Sequence, residues 1–287
     1  MFGIFDSITN WFKEILISGI LSNFARMFND VNREVAGIAA NVGQTPQGWN
    51  AGIYNLIRTL SETVVLPIAG VILTFVLCYE LIHMIIERNN MHDIDTFMFY
   101  KWILKAFIAV YILTHTFDLV MGVFALAQNV VNNSAGIIAG SMDVDLAMSD
   151  LETRLNAMHW GELLGLYIES GIVSFAMQAM SLCVFIIIFG RMIEIYLTIS
   201  IAPIPFSTMI NREWGGIGNS YLKALFALAF QGFLIMVCVA IYAVLVQGIA
   251  SSPNIHSALW GTAGYTVLLC FTLFKTGSLA KSVFGSH

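Results

Sequence analysis

Gly190-Arg191-Met192-Ile193-Glu194-Ile195-Tyr196-Leu197-Thr198-Ile199-Ser200-Ile201-Ala202-Pro203-Ile204-Pro205 is the stretch from which the rest of this chain can be read. A charged pair stands at the end of a long apolar run, and two prolines close it. Arg191 and Glu194 are three residues apart, so on a helix they share a face. Pro203 has no N–H and frees the carbonyl of Ile199; Pro205 does the same to Ile201. In lipid, freed carbonyls are tolerated only where protein, water or the membrane interface satisfies them again. The stretch therefore marks the place where a membrane helix meets a polar surface.

The surrounding composition agrees with a membrane setting. The 287 residues are 58% hydrophobic and 11% charged, whereas soluble domains run near ~25% charged. This is the composition of an all-α, polytopic membrane protein. The net charge of −5 argues against a general nucleic-acid-binding surface and leaves only a local basic rim open. Cys78, Cys183, Cys238 and Cys270 lie in apolar runs, as small hydrophobes rather than a disulfide framework.

A bilayer core needs ~20 apolar residues per helical crossing. Five segments meet that length, at about 64–86, 102–130, 160–206, 221–250 and 259–279. The third exceeds one perpendicular crossing and is read as one long helix rather than two. Ahead of the spans, residues 1–62 form a separate segment. Phe5, Ile8, Phe12, Ile15, Leu16 and Ile20, then Phe24, Met27, Phe28, Val31 and Val35, recur at helical spacing. The segment is too charged to span. It reads as an amphipathic helix in two parts, jointed at Gly19, lying at the outer membrane interface or packed on a partner subunit. Gly43-Gln44-Thr45-Pro46-Gln47-Gly48 is a turn by composition, and Trp49 begins a second interfacial helix. Residues 63–287 make the five-span domain, with the loop 131–159 between spans two and three.

Orientation follows from lysine and arginine placement. Arg88, Lys101 and Lys105, then Arg212 and Lys223, then Lys275 and Lys281 all fall on one side of a five-span chain. That side is cytoplasmic, which puts the C-terminus inside, with the N-terminus and the 131–159 loop outside.

Ionisable residues inside spans read as functional by default. Arg191 and Glu194 are candidates for a subunit seam or pore lining. Glu80, Asp118 and Glu169 are single acids in three spans. They line a watery cavity, pair with Lys105 or Arg191, or relay protons. Glu80-x-x-His83 is half of a di-metal helix motif without its second copy, so no metal is expected. There is no His-Glu-x-x-His, no Gly-x-Ser-x-Gly and no P-loop. Catalysis is not expected, and any energy for transport comes from another subunit.

Gly190-Arg191-Met192-Ile193-Glu194 with Ala202-Pro203-Ile204-Pro205-Phe206, followed by Trp214-Gly215-Gly216 and Tyr221-Leu222-Lys223, resembles the core of TrbL-type polytopic subunits of type IV secretion (conjugation) systems. The short forms carried by conjugative elements of Gram-positive bacteria are the most similar. The resemblance implies a non-enzymatic channel or platform in the cell membrane, assembled as a homo-oligomeric ring with five copies expected. It implies secretion ATPases as partners inside and a bitopic scaffold subunit outside, with relaxase-bound single-stranded DNA as transient substrate. Arg191, Glu194, Pro203, Pro205, Trp214 and Lys223 then stand at the inner rim. The scattered acids suggest polar faces meeting at the ring centre, with structural phospholipids between subunits and no other cofactor. The alternatives are an ion- or proton-coupled secondary transporter and a toxin- or holin-like pore.

Overall fold

The computed structural model describes residues 2–87, 96–138, 144–250 and 254–286. The polar loop at 88–95 with Arg88, the acid at Asp143 and the turn at 251–253 lie outside the described residues. Among the described residues there are helices and turns and no strand. The helices are α1 (Phe2–Val42), α2 (Pro46–Trp49), α3 (Ala51–Leu60), α4 (Leu66–Glu87), α5 (Thr96–Thr114), α6 (Thr116–Ile138), α7 (Val144–Ala157), α8 (Trp160–Ser200), α9 (Pro203–Thr208), α10 (Gly215–Ala250) and α11 (Ile255–Phe284). Five helical stretches among them are long and apolar enough to cross a membrane: Ala51–Ile86, Phe97–Thr114, Trp160–Ser200, Gly215–Gly248 and Ile255–Phe284. The fold is all-α with five candidate spans.

Contacts group the chain into two compact units. The first holds Met1–Val42, Asn132–Phe189 and Leu234–Lys275; the second holds Gly43–Val131, Gly190–Phe233 and Thr276–His287.

In the first unit, α1 is a single unbroken helix of 41 residues, with no joint at Gly19. Its partners explain why a glycine stands there. A Cβ on Gly19 would lie 2.5 Å from the Tyr167 ring, so the glycine lets α8 approach. Asn23 then donates to Ser170 Oγ at 2.9 Å, and Ser181 donates to the Glu34 carboxylate, both across the same sequence separation of 147. The two helices therefore run side by side and parallel. One face of α1 is buried through Leu16, Ile17, Ile20, Phe24, Met27, Phe28, Val31, Ile38 and Val42. Ile8, Trp11, Phe12 and Ile15 stay exposed, so the apolar surface is wider than a single interfacial stripe. Lys13 Nζ donates to the Asn156 carbonyl at the end of α7. The segment read as a loop over 131–159 is largely helical, formed by the end of α6 and by α7.

In the second unit, Thr45 caps α2 by accepting from Gly48 N at 3.0 Å, with Pro46 at the first helical position. Asn50 Oδ1 caps α3 through Ile53 N. A π-helical turn, Ser61–Val65, joins α3 to α4. Pro67 cannot donate to Thr63, and the chain responds with the wider bond from Leu66 N to Ser61 O. The boundary read at residue 62 thus falls inside one continuous helical rod.

The segment read as one span over 102–130 is divided at His115, a single turn residue between α5 and α6. Thr114 Oγ1 bonds the Val110 and Tyr111 carbonyls, His115 Nδ1 meets the Tyr111 carbonyl, and Thr116 Oγ1 bonds those of Ile112 and Leu113. Three successive side chains bonding the carbonyls of the preceding turn compete with the helix ladder there, without proline or glycine.

Helix α8 has 41 residues, ~60 Å at 1.5 Å rise each, and continues unbroken through Arg191 and Glu194 to Ser200.

Candidate functional site

The end of α8 ties the second unit together. Met192, Ile195, Tyr196, Ile199, Ala202 and Phe206 are buried in a core with Tyr54, Phe117, Val120, Phe124, Leu225 and Leu228. Two polar groups on the same stretch, one side chain and one carbonyl, meet other elements. Tyr196 Oη donates to the Pro46 carbonyl at 2.6 Å, which holds the 43–50 turn. The Thr198 carbonyl accepts from Tyr221 Oη at 2.9 Å, which holds the start of α10.

The two prolines are accommodated by local donors. Ile199 O, freed by Pro203, accepts from Ala202 N at 3.2 Å; Ile201 O, freed by Pro205, accepts from Ile204 N at 3.1 Å. The chain tightens to i→i+3 bonds and turns into α9, whose Pro203 and Pro205 are buried. Ile204 and Ile210 pack on a cluster of Ala69, Leu73, Ala109 and Leu113 from α4 and α5. Helix α10 begins hard against this turn. A Cβ on Gly218 would lie 2.5 Å from the Pro205 carbonyl oxygen and 2.1 Å from Met209 Cγ.

A polar latch fixes the turn between α9 and α10. Glu80, 8% exposed, accepts from Lys105 Nζ at 3.0 Å and from Asn211 Nδ2 at 3.3 Å. Asn211 is 2% exposed, and its Oδ1 accepts from the backbone N–H groups of Glu213 and Trp214. One carboxylate on α4 thereby joins α5 to the turn. Beside it, the Trp214 ring stacks on Phe75 and Tyr79 at centroid distances of 5.6 and 5.3 Å, and Tyr79 stacks on His83. Tyr79 Oη donates to Glu213 at 2.9 Å.

Arg191 and Glu194 part company. Glu194 accepts from Lys281 Nζ at 3.3 Å, both side chains about half exposed. Arg191 is 8% exposed. Its Nη2 reaches the Leu228 carbonyl only at 3.5 Å, the far limit of a hydrogen bond. Its Nε is buried without a partner. A buried cation with so little compensation is expensive.

Asp118 lies 3.9 Å from Arg58, which itself holds Glu62 at 2.8 Å. Lys223 is exposed on α10. In the first unit, Glu169 meets His256 Nδ1 at 2.6 Å. The structure thus gathers Glu80, Trp214, Pro203 and Pro205 around one turn, holds Arg191 and Glu194 by separate partners, and leaves Glu169 in the other unit. Asn211, Tyr196 and Lys281 complete this arrangement and are not marked by spacing. Asn211 carried one local signal, an asparagine opening a turn that ends in Trp-Gly-Gly.

The arrangement positions helices. Among the described residues no group of three His, Cys, Asp or Glu side chains is placed to hold a metal.

Residues 31–203 match the model of a protein family described as TrbL/VirB6 plasmid conjugal transfer like protein. No curated protein and no solved structure matches the chain.

Proposed function

The chain belongs to the TrbL/VirB6 family of conjugal transfer-like proteins, and on that premise we propose that it is a non-enzymatic channel or platform subunit of a conjugative type IV secretion system. It is a multi-pass membrane protein, and we assign it to the short form found in Gram-positive conjugative elements. Copies form a homo-oligomeric ring, five in number, in the cell membrane, with the N-terminus outside and the C-terminus in the cytoplasm. Secretion ATPases dock inside and a bitopic scaffold subunit docks outside. Relaxase-bound single-stranded DNA is the transient substrate. Structural phospholipids fill the seams between subunits.

The observation that carries the reading is Arg191. Its guanidinium is buried on helix α8 with one distant carbonyl as acceptor, while the acid one turn away is engaged by Lys281. A cation left in this state within one chain is accounted for if the assembled ring supplies an acceptor, which makes Arg191 a seam residue. The Glu80–Lys105–Asn211 latch and the Trp214 stack keep the adjoining turn rigid enough to serve as the inner rim. The acids a proton-coupled carrier would use are each engaged by a base: Glu80 by Lys105, Asp118 by Arg58 and Glu169 by His256. That favours the channel reading over the carrier.

The test is mating. Arg191→Ala and Glu194→Ala are introduced into the element, and membrane insertion, oligomer size and transfer frequency are measured. The expected result is normal insertion with loss of the oligomer and of transfer for Arg191→Ala. Wild-type transfer and oligomer in both variants overturns the proposal.

A further inference from the structure

Past the Glu34–Ser181 contact, the parallel helices α1 and α8 leave a cleft of about 200 Å³ between them. One wall is α1, with Glu34, Gly37, Ile38 and Asn41 at helical spacing and Arg33 at its edge. The other is α8, with Ser181, Val184, Phe185, Ile188 and Phe189. Pockets for whole drug-sized ligands run ~300–1,000 Å³, so this cleft takes a small group or one part of a larger molecule.

Gly37 is informative. A glycine inside a helix costs ~1 kcal/mol relative to alanine, and no turn or close approach requires one here. A Cβ on Gly37 would meet nothing within 4 Å. The missing side chain leaves open volume in the cleft floor.

The two ends of the cleft differ in chemistry. The polar end holds a carboxylate, Glu34, and a guanidinium, Arg33. Arg33 Nη2 bonds Asp30 at 2.6 Å, and a guanidinium has five N–H donors, so others stay available at a side chain 71% exposed. Asn41 stands two turns further along α1, ~10 Å from Glu34, where its Nδ2 donates to the Gly37 carbonyl. The apolar end is aromatic and aliphatic, and Phe185 is 50% exposed beside the exposed Leu182 and Ile186 of the same candidate span.

We propose that this cleft binds a zwitterionic phospholipid with a primary-amine headgroup. The phosphate faces Arg33, the ammonium donates to Glu34, and an acyl chain lies along Phe185, Ile188 and Phe189. The paired opposite charges favour a zwitterion over an anionic lipid, whose headgroup would meet Glu34 and Asp30. The Glu34 carboxylate, as an acceptor, favours a primary ammonium over a quaternary one, which has no N–H to donate. The site rests on the membrane setting of the proposed function and not on ring assembly.

The experiment is native mass spectrometry of the purified full chain after delipidation and exchange into nanodiscs of phosphatidylethanolamine, phosphatidylcholine and phosphatidylglycerol with identical acyl chains. Oligomer size is read in the same spectra, so failure of the ring and failure of the site are separable. Retained phosphatidylethanolamine is expected to exceed each of the others about tenfold, as one charge-assisted hydrogen bond gives. Gly37→Leu, which fills the floor, removes the bound lipid. Glu34→Gln, which keeps shape and the Ser181 contact, removes the preference and keeps some lipid. Equal retention of the three lipids, preference for phosphatidylglycerol, or undiminished selectivity in Glu34→Gln overturns the proposal. If Gly37→Leu does not fold, the Glu34→Gln result decides alone.

Discussion

The carboxylate of Glu194 is held at 3.3 Å by Lys281 of α11, and not by Arg191 one turn away on its own helix. Two cations stand near one acid, and the more exposed one has it. The consequences for the two cations are opposite. Lys281–Glu194 is a half-exposed pair, so Lys281→Ala costs less than ~1 kcal/mol. Arg191→Met removes an uncompensated buried charge, so the detergent-solubilised monomer melts at or above the wild-type temperature, by up to ~3 kcal/mol of added stability. Thermal melts with oligomer sizing measure both. A monomer markedly destabilised by Arg191→Met would show instead that the guanidinium serves the fold of its own chain.

Gly218 is where α10 meets the proline turn. A methyl group there collides with the Pro205 carbonyl and Met209, and the backbone oxygen has nowhere to move. Gly218→Ala is expected to destabilise by ~1–3 kcal/mol through overpacking. Gly216→Ala is the control. Its Cβ meets nothing within 4 Å, and alanine gains helix propensity of up to ~1 kcal/mol. Melting temperatures that shift equally for the two would refute the close approach of α10 to α9.

Asn211 serves Glu80 with its amide nitrogen and the turn with its oxygen. Asn211→Ala leaves a buried carboxylate oxygen and two N–H groups without this partner, an expected loss of ~1–3 kcal/mol. It also frees the 211–214 turn, so Trp214 leaves its stack with Phe75 and Tyr79. Near-ultraviolet circular dichroism reads that change. An unaltered aromatic signal alongside a lowered melting temperature would show that the stack stands without the latch.

The spans were legible because apolar runs of bilayer length carry their own signature. The proline turn was legible too, since a missing N–H forces its consequence locally. Pairing was not. The spacing of Arg191 and Glu194 says that they share a face, yet the partner of Glu194 lies 87 residues away, and no local pattern encodes that. The break between α5 and α6 at His115 escaped for a different reason. Thr114, His115 and Thr116 carry no proline or glycine, and only their hydrogen bonds to the preceding turn reveal the competition. The course of α1 depended on Gly19 meeting the Tyr167 ring. From sequence alone that glycine reads as a joint; in the fold it is a contact point. Glu80 was the intermediate case, an acid for which Lys105 was one of two nameable partners.

Glu34 gives a pH dependence whose sign can be worked out. Burial holds its carboxyl above the ordinary glutamate value of 4.5, with Asp30 adding to the shift, while the Ser181 hydroxyl and Arg33 oppose it. Tyr242 of α10 and Cys270 of α11 also feel its charge. Because the folded carboxyl binds its proton more tightly than the unfolded one, the folded state carries more protons between the two values. Stability from this group is full below the unfolded value and is lost as pH rises through the folded one. The wild-type protein should therefore lose stability relative to Glu34→Gln as pH is raised from 4.5 toward neutrality, since the amide has no proton to lose. Melting temperatures of the two proteins in detergent across that range test the sign. Parallel profiles would mean that Glu34 titrates alike in both states, and a gap that widens in favour of the wild type with rising pH would mean that Arg33 outweighs burial.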